Sequence, residues 1–214
     1  MSNDLTRRGF LNRASIYGCG ISLTLAGGLP LARAAAEKST APLSLSPAQW
    51  CAAEAMTARL IPSGDTPGAL EANCVNFIDK ALANEEKAAL YMVRQCLDAL
   101  DQHCEANNGS VFCHLNPEQQ DGVLVNLENS DISDWPEDAV PQSAFFGLIR
   151  ALTIMGFLAE PKYGGNQGYA GWQLSGYPGP RHHLGGYTDA QMMGEETIKP
   201  AWEAGCKSAR RRSR

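Results

Sequence analysis

A chain of 214 residues, 44% of them apolar and 19% charged, is long enough to bury a hydrophobic core and has the composition of a globular protein. The formal charge is −5, and removing residues 1–34 takes away four Arg and one Asp, leaving 14 basic against 22 acidic residues, a net of −8. So acidic a body argues against nucleic acid as a partner. Past the N-terminus no run is apolar enough to cross a bilayer, so the mature protein is expected to be soluble.

The first 34 residues read as an export signal. Arg7 and Arg8 stand together, Phe10 and Leu11 follow at the offset of the twin-arginine pattern, and a weakly apolar run reaches Leu31. Ala32-Arg33-Ala34 then forms a small-x-small cleavage site, with cleavage expected after Ala34 or after Ala36. The twin-arginine route moves folded proteins into the periplasm. A plain helical domain without a cofactor motif has little reason to use it alone, so the leader is expected to carry a partner as well.

Residues 35–45 are small and polar, a flexible lead-in. Ser46 before Pro47 opens a helix running to about Leu60, with Trp50, Ala53, Met56 and Leu60 on one side. Residues 62–68 combine Pro, Gly, Ser and Asp and form a loop. A second helix is expected over 69–83, burying Leu70, Cys74, Phe77, Ile78 and Ala81, and a third over 85–105 with Asn84 as its cap. Asn107 to Ser110 turn the chain, and Asn116-Pro117 opens a fourth helix to about Glu128. After an acidic loop around Trp135, a fifth helix over 141–158 is the most apolar, with Phe145, Phe146, Leu148, Ile149, Leu152, Ile154 and Phe157, and is expected to be the central core helix. Residues 161–187 are rich in Gly and aromatics, a long irregular loop suited to lie on a partner or on its own core. A last helix over 195–208 precedes a basic tail at 209–214. The fold class is therefore all-α: one compact domain over 46–208, of five or six helices with a long Gly/aromatic loop near the C-terminus.

No dinucleotide, phosphate-loop or haem-attachment motif is present, so no catalytic, cofactor-binding or metal residue is assigned. The pairs His103-Cys104 and Cys113-His114 suggest metal ligands, but adjacent Cys and His rarely hold one ion together, and the spacing fits no common zinc pattern. A disulfide between Cys104 and Cys113, closing a short loop around the Asn-Asn-Gly-Ser turn in an oxidising compartment, is the more natural expectation. Cys74 and Cys96 read as buried small hydrophobes. Two rival readings stay open. One is an independent periplasmic enzyme using His182, His183 and Asp65; the other is a metal- or redox-sensing module built on His103, Cys104, Cys113 and His114.

Two stretches carry a resemblance. Ile61-Pro62-Ser63-Gly64-Asp65-Thr66-Pro67-Gly68-Ala69 followed by Phe77-Ile78-Asp79 is one; Gly156-Phe157, then Glu160 to Asn166, Gly171-Trp172 and Gly176 to Pro180 is the other. Together they resemble the gluconate 2-dehydrogenase subunit 3 family over about residues 45–187. The resemblance implies a small, non-catalytic subunit of flavin-dependent sugar or polyol dehydrogenases, exported with a catalytic flavoprotein of the glucose–methanol–choline type and needed for its maturation or stability. FAD would sit in that partner, and haem in a possible multihaem cytochrome c subunit, with any membrane association made only through the complex. The expected partner interface is Tyr163, Gly164, Gly165, Asn166, Trp172, Tyr177, Pro178, Gly179 and Pro180.

Overall fold

The computed structural model describes residues 42–180, 186–200 and 203. The leader residues Arg7, Arg8, Phe10 and Leu11, the pair His182-His183 and the basic tail lie outside the described residues.

The described residues are all-α, with seven α-helices and no strands. Ser46 accepts a hydrogen bond from the backbone N–H of Gln49, whose side chain answers to the Ser46 N–H, and this reciprocal cap starts α1 (Pro47–Leu60). α2 (Cys74–Ala83) begins five residues later than the sequence pattern suggested, because residues 69–73 are turns and Asn73 is left-handed. Leu70 therefore stands outside and is 46% exposed. Asn84 ends α2 rather than starting the next helix: its backbone N–H and its side-chain amide both donate to the Lys80 carbonyl in the last turn. A 3-10 turn (Lys87–Ala89) leads into α3 (Leu90–Asn108), which Gly109 closes in a left-handed conformation. A second 3-10 turn (Phe112–His114) connects it to α4 (Pro117–Asn129), opened by an Asn116–Gln119 capping box. α5 (Gln142–Leu158) follows the acidic loop, and two short helices, α6 (Ala170–Ser175) and α7 (Asp189–Met192), complete the set. Residues 195–200, where a last helix was expected to begin, are not helical; most of the remainder of that stretch lies outside the described residues.

α5 packs against α1, α2 and α4, which makes it the central helix expected from its apolar sequence. Phe145, Ile149 and Leu152 from α5 meet Met56 from α1, Ile78 and Leu82 from α2, and Leu97 and Leu100 from α3, all nearly or fully excluded from solvent. Ile154 was expected in this core, yet it is 48% exposed. It falls on the opposite side of the helix from Ile149 and Leu152, the side that the described residues leave half exposed.

The lead-in is not loose where it meets the body. Asp79, buried on α2, accepts the backbone N–H groups of Leu43, Ser44 and Leu45 at 2.6, 2.9 and 2.8 Å, and the Ser44 hydroxyl at 2.8 Å. The Arg94 guanidinium donates to the Ser44 carbonyl from α3. Polar composition suggested mobility, but these backbone donors have found a carboxylate to bind.

Asp101 on α3 accepts the Phe112 N–H at 3.0 Å and so holds the second 3-10 turn in place. Burial pushes its carboxyl up to about 6, from a usual 3.8. The folded chain then binds the proton more tightly than the unfolded one. Asp101 thus contributes stability that is fully present below pH 4 and lost as pH rises through 6. Because Asp101 is only partly buried and solvent screens it, Asp101→Asn is expected to remove no more than about 2 kcal/mol of pH dependence between pH 4 and 7 in denaturant titrations, leaving the rest of the profile unchanged.

Candidate functional site

The two stretches that carry the resemblance lie about ninety residues apart in sequence and form one surface in space. The Gln167 N–H donates to the Ala72 carbonyl at 3.0 Å, and the Asn76 side-chain amide donates to the Gly164 carbonyl at 2.7 Å. Ala69, Ala72 and Cys74 from the first stretch share a small second core with Phe157 and Ala170 from the other. Between them runs an open groove of about 410 Å³, lined by Thr66, Pro67 and Glu71 on one side and Gln167, Gln173 and Leu174 on the other. Glu71 braces the loop, accepting from the Ser63 hydroxyl at 2.6 Å and the Gly68 N–H at 2.9 Å.

The expected interface residues divide into two groups. Gly165, Asn166, Trp172 and Gly179 are buried. The Asn166 amide donates to the Ala159 carbonyl and its oxygen accepts the Gly171 N–H, tying the segment to the end of α5. The Trp172 indole donates to the Leu158 carbonyl at 2.7 Å, satisfying a carbonyl that the helix end leaves unpaired. Gly164 (φ +102), Pro178 and Pro180 are half-buried. Tyr163 and Tyr177 are exposed, Tyr177 standing edge-on to Trp172 with ring centroids 5.3 Å apart. Within residues 161–180 the long loop is built from 3-10 turns at Pro161–Tyr163 and Gln167–Tyr169 and from α6.

Sequence reasoning missed the apolar residues around this segment. Leu174 on α6 and Ile154, Met155 and Leu158 at the end of α5 are about half exposed, and the Trp172–Leu158 bond fixes the two helices side by side. An excess of apolar residues over what one helix face can bury was the available signal.

Two glycines set the close approach. A Cβ at Gly171 would lie 1.9 Å from the Phe157 carbonyl oxygen, and one at Gly165 would lie 2.2 Å from the Gly156 oxygen. Both neighbours are rigid backbone. Gly171→Ala is expected to destabilise the protein by about 2 kcal/mol in urea titrations, through a forced shift of α6 away from α5. Gly147→Ala, with nothing within 4 Å inside α5, is the control, expected to be neutral or to stabilise by about 0.5 kcal/mol.

The expected disulfide is corrected. Cys113 pairs with Cys51 on α1, the Cα atoms 5.8 Å apart, and not with Cys104. Cys104 is a fully buried free thiol on the inner face of α3, while Cys113 is half-buried on the 3-10 turn that packs against α1. His103 does not approach Cys113 either; its Nδ1 lies 2.5 Å from Asp134 Oδ1 at the surface. Asp65 is exposed in the first loop. It does not cap a following helix, because none starts before Cys74.

Residues 47–179 match the family model of gluconate 2-dehydrogenase subunit 3. The chain belongs to that family. The match begins at the first residue of α1 and ends within the Gly/aromatic segment, so it takes in the first signature stretch and the second as far as Gly179. Subunit 3 is an auxiliary subunit of a dehydrogenase complex, which implies a dehydrogenase partner. No curated protein and no solved structure matches the chain. Among the described residues no helix is long and apolar enough to cross a membrane.

Proposed function

We propose that this chain is the non-catalytic subunit of an exported, flavin-dependent sugar or polyol dehydrogenase. In this reading it grips the folded catalytic flavoprotein through the face built by the two signature stretches. The Arg7-Arg8 leader then takes both through the twin-arginine translocase to the periplasm. Oxidation of the substrate belongs to the FAD of the partner, and electrons leave through a haem subunit where one is present. The observation that supports the reading is the convergence of the two stretches about one groove that Leu174 lines, with Tyr163 and Tyr177 exposed in the same Gly/aromatic segment. The buried glycines and Trp172 act as the scaffold that presents these side chains, and apolar residues of this size are the usual anchors of an interface.

The test is co-expression with the flavoprotein. Leu174→Asp combined with Tyr177→Asp is expected to weaken capture roughly 30-fold, the effect of losing about 2 kcal/mol of anchor energy. Arg7→Lys with Arg8→Lys is expected to leave both proteins in the cytoplasm. Full capture by the double Asp variant would remove the face from the proposal, and export of active flavoprotein without this chain would remove the carrier role.

A further inference from the structure

Cys51, Cys113 and His114 form a second constellation, away from the signature face. One ligand atom from each lies within 4.8 Å of the others. Adjacent Cys and His argued against a metal when only the two Cys–His pairs were considered. Folding adds what those pairs lack: α1 brings a second sulfur from 62 residues away, so an ion would not depend on adjacent Cys113 and His114 alone. We propose that, before the Cys51–Cys113 bond forms, the reduced chain binds one zinc ion through Cys51 Sγ, Cys113 Sγ and a ring nitrogen of His114.

The geometry suits the ion. Tetrahedral zinc with Zn–S near 2.3 Å and Zn–N near 2.0 Å needs ligand atoms roughly 3.5–3.8 Å apart; all three atoms lie within 4.8 Å of one another, and reduction of the disulfide lets the two sulfurs separate to that spacing. Three protein ligands leave the fourth position to water, and the exposed His114 keeps that side open. The turn that carries two of the ligands is held without help from the disulfide. Phe112, fully buried, anchors it; its N–H donates to Asp101, and its carbonyl accepts the Gln120 side-chain amide at 3.1 Å. Opening the sulfur–sulfur bond therefore leaves the ligands together. The other described thiols are poor competitors: burial pushes Cys74 and Cys104 up to about 12 and Cys96 up to about 11, so they stay protonated. Binding converts two thiols to thiolates and releases two protons per zinc, with no change of oxidation state. The ion would join α1 to the turn in a reducing compartment at the same place where the disulfide joins them in an oxidising one.

The full chain carrying Cys19→Ser and Cys206→Ser, reduced with a phosphine, is titrated with zinc and separately with cobalt(II). One equivalent of zinc is expected to bind, with release of two protons, and cobalt is expected to give the visible bands of a tetrahedral thiolate site. His114→Ala changes an exposed side chain and leaves both cysteines able to pair. It is expected to weaken zinc binding about 100-fold or more while the oxidised protein still shows the Cys51–Cys113 link. Cys104→Ala is expected to leave binding unchanged. Failure of the reduced chain to take up a stoichiometric ion overturns the proposal, as does unchanged affinity in His114→Ala. Binding that survives Cys51→Ser together with Cys113→Ser overturns it as well.

Discussion

Cys51→Ser is expected to lower the stability of the oxidised protein by about 4 kcal/mol, the largest effect of any single change considered for the described residues. The bond closes a loop of 62 residues, and the chain-entropy relation gives about 4 kcal/mol for a loop of that size. The loop contains all of α2 and α3, so in the unfolded chain the cross-link restrains nearly half of the helical body. In thermal unfolding the midpoint should fall by roughly 10 °C. A phosphine reductant applied to the native sequence in metal-free buffer should reproduce the shift, and Cys104→Ala should not abolish the cross-link. Peptide mapping after alkylation should recover a Cys51–Cys113 peptide. Recovery of a Cys104–Cys113 peptide instead would mean that the turn at Phe112–His114 sits differently on α1.

The fold was legible where the signal is local. Ser46-Pro47 and Asn116-Pro117 announce their helices because capping needs a side-chain acceptor and a residue with no N–H to lose, and both starts lie within a residue of the expectation. The central place of α5 followed from Phe145, Ile149 and Leu152, which recur at helical spacing. What failed was non-local. Cys104 looked like the partner of Cys113 because it is near in sequence, but α3 turns it inward while α1 supplies Cys51 from the other side. Leu70 fits a helical pattern, but Asn73 adopts φ +56 and delays α2 to Cys74. The Gly/aromatic segment shows the same limit. Glycine permits close backbone approach, and composition does not say to whose backbone. At Gly165 and Gly171 it is the chain's own α5, so these two residues are buried scaffold, and the sequence could not separate them from the exposed Tyr163 and Tyr177 of the same segment.

Asp79→Ala is the second large effect, expected to cost about 3 kcal/mol. Its carboxylate gathers three successive backbone N–H groups and one hydroxyl, and bonds to a charged acceptor contribute more than neutral ones. Four full bonds would suggest a larger figure. The lead-in can peel away and give its donors to water, so the loss is bounded by the cost of detaching residues 43–45, including the burial of Leu45. That bound makes the prediction specific in place as well as size. Amide exchange should accelerate at Leu43, Ser44 and Leu45 while α3 and α5 keep their protection, and a protease should gain access just before Pro47. Asp79→Asn tests the charge separately. It keeps an acceptor oxygen in position, and it should fall between the native protein and Asp79→Ala, with Arg94 still donating to the Ser44 carbonyl. Loss of protection through the whole of α2 in Asp79→Ala would show that the carboxylate supports the helix itself rather than the strand of chain that leads into the body.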